Sequence, residues 1–298
     1  MKILVTGANG LLGQHLVKQL LDKGYTVIAT SLGRSRLSFP QNEQYTYHEL
    51  DVTDGPVVNR LLNKLRPEVL IHAAAMTQVD QCEEEKITCW NINVTATRFL
   101  VDACKEIGAR FIFVSTDFVF DGLHGPYSEA SEPNPVNYYG SSKWGAEKAV
   151  EESGLQWAIV RTVLVTGNPL SGTRHNIITW VKEKLEKGEK IRVVDDQYRT
   201  PTFVEDLAAG IILVLEKNAQ GLFHISGKDS LTPYAIAVET ARLLKLDERL
   251  IEKADSASLG QPAVRPARTG FIIGKAEKEL GYKPHSFRES LEKMFASR

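Results

Sequence analysis

The chain has 298 residues, with 36 Lys+Arg against 37 Asp+Glu, a net charge of -1 and 43% hydrophobic residues. Those values describe an ordinary globular protein and exclude a disordered, collagen-like or purely coiled-coil chain. The near-neutral balance carries no electrostatic footprint for nucleic acid or an anionic membrane, so neither is expected as a partner.

The first half alternates short apolar runs with amphipathic helical patterns. Lys2 to Thr6 reads as a buried strand, Leu11 to Lys23 as a helix ending before Gly24, and Thr26 to Ser31 as a second strand. Asp54 to Leu65 is helical and stopped by Pro67; Val69 to Ala73 is a strand; Trp90 to Ile107 is a helix closed by Gly108; Arg110 to Ser115 is another strand. Continuously apolar strands alternating with helices predict an α/β fold, a doubly wound parallel sheet covered on both faces. Beyond about Val160 the rhythm loosens. Asn176 to Lys187, Val204 to Lys217, a stretch from Pro233 and a last one from Ser286 read as helices, and Ile191 to Val194 and Leu222 to Ser226 as strands. The expected organisation is a dinucleotide-binding domain over 1–160. Residues 161–298 then form mainly a smaller substrate-binding lobe, with segments returning to the sheet.

Gly7-Ala8-Asn9-Gly10-Leu11-Leu12-Gly13 lies between the first strand and the first helix. Glycine there permits a tight turn and close approach of backbone to a pyrophosphate, and the helix start offers free N–H groups to it. The second strand ends at Ser31, where an NAD enzyme places a carboxylate on the ribose; Arg34 and Arg36 follow instead. An arginine pairs with a 2′-phosphate in a fork, so NADPH is the expected cofactor and NADH the alternative. Tyr139 and Lys143, four apart, share one face of a predicted helix, and Thr116 lies upstream at the end of a strand. A lysine cation beside a tyrosine favours the phenolate and makes the pair a proton-transfer device.

The G-x-x-G-x-x-G spacing, with Asp51-Val52 after the third strand, Ala73-Ala74-Ala75 after the fourth, Asn93-Val94-Thr95, and the Thr116/Tyr139/Lys143 set, resembles the extended short-chain dehydrogenase/reductases. Val114-Ser115-Thr116-Asp117-Phe118-Val119-Phe120-Asp121-Gly122, then Tyr127, Glu129 and Pro133, and later Asp196-Gln197-Tyr198-Arg199-Thr200-Pro201-Thr202, narrow this. These runs resemble the dTDP-4-dehydrorhamnose reductase family over nearly the whole chain. The resemblance implies NADPH-dependent reduction of the C4 ketone of a nucleotide-activated 6-deoxysugar in dTDP-rhamnose biosynthesis. It implies a catalytic Thr116, Tyr139 and Lys143. Gly7, Gly10, Leu11, Leu12, Gly13, Ser31, Arg34, Asp51, Val52, Ala74, Ala75, Thr77, Tyr139 and Lys143 would hold the cofactor. Thr116, Asp117, Leu164, Asn176 and Arg199 would face the substrate, and the assembly would be a homodimer.

Leu164 departs from the family, many of whose members carry tryptophan there, so another ketosugar is the alternative substrate. Dehydratases of the superfamily carry Asp-Glu after the threonine; the pair here is Asp117-Phe118, and phenylalanine takes no proton. Epimerases retain NAD with an acidic end to the second strand, where Ser31 stands. The contrasting reading is a non-catalytic NADP-binding subunit, a role that some relatives resemble in methionine adenosyltransferase assemblies.

The remaining motifs read as structural. His72 is expected as a satisfied core residue, Cys104 as helix packing, Glu83-Glu84-Glu85 as a solvated helix start, and Trp157 and Trp180 as lobe packing. Cys82, Cys89 and Cys104 form neither a disulfide framework nor a metal-ligand spacing, and no metal is expected. With Thr6-Gly7-Ala8-Asn9-Gly10 interrupting the apolar start and Ala208 to Leu215 the longest apolar run, neither a signal peptide nor a membrane span is read. The expected compartment is the cytoplasm.

Overall fold

The structure, a computed structural model, describes residues 1–172 and 175–296. Its strands in chain order are β1 (Lys2–Thr6), β2 (Thr26–Ser31), β3 (Tyr45–Glu49), β4 (Val69–His72), β5 (Arg110–Thr116), β6 (Trp157–Thr162), β7 (Val165–Thr166), β8 (Ile191–Val194), β9 (Thr202–Phe203), β10 (Gly221–His224) and β11 (Ile251–Ala254). The helices are α1 (Leu11–Asp22), α2 (Gly55–Leu65), α3 (Val79–Glu84), α4 (Lys86–Trp90), α5 (Ala96–Ile107), α6 (Tyr138–Glu151), α7 (Ile177–Glu186), α8 (Val204–Glu216), α9 (Pro233–Leu244), α10 (Gly274–Leu280) and α11 (Phe287–Phe295).

Seven strands form one parallel sheet in the order β10-β6-β5-β4-β1-β2-β3. Chain direction reverses its lateral progress between β1 and β4, so a crevice opens outside their carboxyl ends, where open α/β sheets bind ligands. Two apolar clusters sandwich the sheet. Ile3, Val5, Leu16, Leu20, Leu207 and Ile211 tie one face to α1 and α8. Leu4, Leu62, Leu100, Phe111, Phe113 and Val150 tie the other to α2, α5 and α6. A buried aliphatic side chain contributes about 1.5–3 kcal/mol, so these faces dominate the stability of the sheet. Both α8 and β10 come from beyond residue 161: the late chain completes the sheet and one of its covering layers. The smaller lobe packs α7 and α9 against the β8–β11 pair through Val181, Leu185, Ile191, Ala237 and Ile251.

Local signals place the helix ends. Asp54 accepts a hydrogen bond from the Val57 N–H at 3.0 Å and caps α2, and Gly108 at φ 71° closes α5. The helix expected over Trp90 to Ile107 is instead broken by one widened π turn at Asn91–Thr95. That turn delivers the Asn93 side chain to the backbone of Met76, whose N–H donates to it at 2.8 Å and whose carbonyl accepts from it at 3.0 Å. Such bulges are common beside functional sites.

His72 is a satisfied core residue, as expected. Thr6 Oγ1 lies 2.7 Å from Nδ1 and Thr97 Oγ1 lies 3.1 Å from Nε2, and burial lowers the imidazole pKa to about 3, keeping it neutral. Cys104 is fully buried in the α5 face. Trp180 packs in the smaller lobe, but Trp157 begins β6 and packs against the main sheet, so it is no lobe residue. Glu83 is also misread from sequence. It lies near the end of α3, and its Oε2 accepts the Tyr138 N–H at 3.0 Å, tying that helix to the start of α6.

Candidate active site

The glycine loop follows β1 at the crevice. Gly7 has φ +69°, and a Cβ there would lie 2.8 Å from the Ala74 nitrogen, so the position demands glycine twice over. A Cβ on Gly13 would overlap the Gly7 carbonyl, which explains the tight seating of α1 behind the loop. Gly10 is the N-cap of α1 and has no side chain to bond the first N–H groups, leaving them for a ligand. Leu11 and Leu12 are half-buried in the first turn; Ala74 and Ala75 line the opposite side after β4, with Thr77 exposed beyond them. This cradle of uncapped donors and Cβ-free backbone fits a dinucleotide pyrophosphate.

Ser31 ends β2 half-buried, and Arg34 is exposed in the loop beyond it. Asn9 pins that loop beside the glycines: its Nδ2 donates to the Arg34 carbonyl at 2.9 Å, and its Oδ1 accepts from the Arg36 N–H at 2.9 Å. Sequence reasoning overlooked Asn9, although its place inside the glycine motif was a signal. Asp51 is exposed past β3, with Oδ1 accepting from Thr53, and Val52 is buried beside it.

Thr116 ends β5 at the same carboxyl edge, and α6 crosses above it carrying Tyr139 and Lys143. All three are less than 10% exposed: Thr116 6%, Tyr139 8% and Lys143 3%. Burial raises the Tyr139 pKa above its ordinary value; the Thr116 hydroxyl acts against that rise and the Asp117 carboxylate adds to it. The expected depression by Lys143 is therefore corrected. Lys143 Nζ donates to the Val114 carbonyl at 2.8 Å and sits 4.0 Å over the Phe113 ring, and burial outweighs every charge acting on the phenol. The same dehydration lowers Lys143 itself to about 7, opposed by the charge of Glu147.

The α6 start is held from three directions. Asn137 Oδ1 accepts the Gly140 N–H at 2.8 Å, Asn137 Nδ2 donates to the Val264 carbonyl at 2.8 Å, and Glu83 takes the Tyr138 N–H. Val264 belongs to a strap, residues 263–271, that no sequence signal marked. Arg265 forks onto Asp80 of α3 at 2.5 and 2.6 Å, and Thr269 Oγ1 donates to Asp117 Oδ2. Asp117 is thereby enclosed, since Thr116 Oγ1 also donates to its Oδ1 at 3.1 Å and Arg199 Nε lies 3.9 Å away. Burial raises the Asp117 pKa, with Arg199 opposing.

Three side chains expected to face the sugar have commitments of their own. Arg199 is 4% exposed and donates to the carbonyls of Pro266 at 2.7 Å and Ala267 at 3.2 Å and to Gln197 Oε1 at 3.1 Å; it braces the strap. Asn176 caps α7 and donates from Nδ2 to the Gly167 carbonyl at 2.7 Å, so both ends of its amide are engaged. Leu164 stands at φ 31° and packs against both the sheet core and the cluster of Ile178, Phe203, Ile236 and Leu291. Leu164→Trp is expected to overpack this junction, lowering stability by about 1–3 kcal/mol in a melting curve. A lower KM for a ketosugar at unchanged Tm would put residue 164 in the sugar pocket instead.

The strand order, the cradle at the switch point and the Tyr139/Lys143 helix over Thr116 define the extended short-chain dehydrogenase/reductase fold. The chain belongs to the family described as RmlD substrate binding domain, whose model matches residues 1–298. It is 33% identical to a dTDP-4-dehydrorhamnose reductase of Streptomyces griseus, over 98% of this chain and 92% of that protein. It is 31% identical to methionine adenosyltransferase 2 subunit beta of Rattus norvegicus, over 93% and 81% of the two chains. The crystal structure of dTDP-4-dehydrorhamnose reductase from Bacillus anthracis in complex with NADP superposes with a TM-score of 0.85. The two are 28% identical, with coverage of 100% and 99%.

Proposed function

We propose that the protein is an NADPH-dependent reductase of the C4 ketone of a nucleotide-activated 4-keto-6-deoxysugar, with dTDP-4-dehydrorhamnose as the substrate to test first. The observation that carries this reading is the buried Tyr139 phenol beside Thr116, with Lys143 one helical turn away, at the mouth of a glycine cradle. NADPH, when bound, supplies a hydride to the carbonyl carbon. Gly7, Gly10 and Gly13, with the α1 N-terminus, hold its pyrophosphate; Arg34 meets its 2′-phosphate.

The Tyr139 pKa is raised, so the phenol keeps its proton at neutral pH and serves as a donor, the form that ketone reduction requires. Thr116, turning its one hydroxyl proton from Asp117 to the substrate, holds the carbonyl oxygen, and Tyr139 gives its proton to the developing alkoxide. The product is an alcohol and the residue left behind is a phenolate. Lys143, as an ammonium, stabilises that phenolate and holds the nicotinamide ribose. Before substrate enters, Asp117, closed in by Thr269, accepts the Thr116 hydroxyl and orients it.

Three free, buried thiols support a reducing compartment, and we place the protein in the cytoplasm. Among the described residues no helix is long and apolar enough to cross a membrane. Loss of NADPH absorbance on adding dTDP-4-dehydrorhamnose tests the function. NADPH binding without turnover of any 4-ketosugar would replace it with a non-catalytic cofactor-binding subunit.

Cofactor choice has its own test. Ser31→Asp places a carboxylate where the 2′-phosphate would lie, and should weaken NADPH by roughly tenfold, equivalent to about 1.4 kcal/mol, while leaving or improving NADH. Equal weakening of both cofactors would remove Ser31 and Arg34 from the ribose pocket.

A further inference from the structure

Tyr139, Lys143 and Glu147 recur at intervals of four along α6, which sets them in one line on one face of the helix. The line runs inward from the crevice, and its last member is 1% exposed. Arg161 on β6 grips Glu147 with two parallel bonds, Nε to Oε1 at 2.9 Å and Nη2 to Oε2 at 2.6 Å. Arg161 is itself 2% exposed. A fully buried ion pair is a poor device for stability, because the dehydration of two charges consumes most of their attraction. Its placement beneath Lys143 gives it another use.

We propose that Glu147 is a positioning residue of the reaction: locked by Arg161, its carboxylate supplies the negative charge on the buried side of Lys143 that keeps the lysine charged beneath Tyr139. The groups around Lys143 leave this task to it. Tyr139 lies above on α6; Cys89 of α4 and the neutral His72 of β4 flank the lysine; the Val114 carbonyl and Phe113 ring of β5 lie against its Nζ. Asp117 bears on Tyr139 and is closed off by Thr269, Thr116 and Arg199. Cys89 shares the role in part, since hydrogen bonding with Cys82, Ser142 and Asn93 draws its thiol below the ordinary range. Glu147 is the carboxylate on the line, and the fork from Arg161 prevents it from swinging out to neutralise Lys143 directly.

The proposal rests on the assignment of Lys143 to the cofactor ribose, and its test is read in binding so that it does not depend on which sugar is reduced. NADPH affinity is measured by fluorescence titration from pH 5.5 to 9 in four proteins: wild type, Lys143→Met, Glu147→Gln, and Glu147→Gln with Arg161→Gln. The double variant avoids the unpaired buried arginine that Glu147→Gln alone would leave. Wild type should show a midpoint near pH 7, where Lys143 loses its charge, and Lys143→Met should lack it. In Glu147→Gln the midpoint should move to lower pH by about one to three units, the range for loss of a close opposite charge, and in the double variant, which also removes the opposing Arg161 charge, it should move the same way by less. With a turned-over ketosugar, kcat at pH 7.5 should fall about tenfold or more at nearly constant KM.

A folded Glu147→Gln variant whose midpoint matches wild type would overturn the proposal and leave the ion pair a purely structural element. So would a wild-type midpoint that survives in Lys143→Met. Where Glu147→Gln does not fold, Glu147→Asp, which withdraws the carboxylate by one methylene, should give a smaller shift in the same direction, and an unmoved midpoint there is equally decisive. Absence of turnover with every ketosugar, alongside the expected shift, would reject the reductase reading and retain the role of Glu147.

Discussion

Tyr139→Phe is expected to lower kcat by roughly two to four orders of magnitude, the range for loss of a general acid, with NADPH affinity close to wild type. The substitution removes one oxygen and keeps the ring. That ring packs with Met76, Cys82 and Cys89 and meets Phe118 edge-on at a centroid distance of 5.9 Å, and phenylalanine preserves both contacts. Folding should therefore be intact, and a melting curve together with an NADPH titration on the variant separates lost chemistry from lost structure. A variant turning over within a few-fold of wild type would show that the proton comes from another group.

Gly140→Ala is expected to damage both stability and turnover, although the residue touches neither cofactor nor substrate in the proposed mechanism. A Cβ on Gly140 would overlap the Phe118 carbonyl oxygen and crowd Pro135 Cβ at 3.0 Å. The carbonyl belongs to the loop leaving Thr116, so α6 and that loop would have to part. Overpacking costs about 1–3 kcal/mol and occasionally more, and backbone atoms yield less readily than a flexible side chain. Separation of α6 from the loop also draws Tyr139 away from Thr116, and displacements of this order cost about a hundredfold in rate. Urea unfolding and kcat measured on the same preparation check both effects. Wild-type values of the two would mean that α6 can stand off from the loop without penalty.

The parts of the molecule legible in sequence are those written in local pattern. Lys2–Thr6 and Val69–His72 are apolar on both faces, and glycines at 7, 10 and 13 sit where backbone must approach backbone. The four-residue spacing of Tyr139 and Lys143 follows from helix geometry alone. What pattern leaves out is how polar atoms are spent across distance. Asn176 and Arg199 carry suitable chemistry for a sugar, but capping of α7 and the carbonyls of Pro266 and Ala267 claim it. Strands as short as Val165–Thr166 and Thr202–Phe203 leave no periodicity to read. The direction of the Tyr139 shift is equally hidden, since it depends on a depth of burial to which α3, α4 and α6 all contribute.

The strap over residues 263–271 gives the site an order in time. Its contacts reach back to Asp80, Asp117 and Asn137, and the bond from Thr269 to Asp117 joins residues 152 positions apart. During translation, Thr116, Tyr139 and Lys143 leave the ribosome long before the partners that clamp them. A nascent chain already contains Thr116, Tyr139 and Lys143 while the Asn137 amide lacks Val264 and Asp117 lacks Thr269. Assembly of the pocket thus waits for the strap, and a chain cut short before residue 263 would leave the start of α6 without the Val264 contact and Asp117 without Thr269.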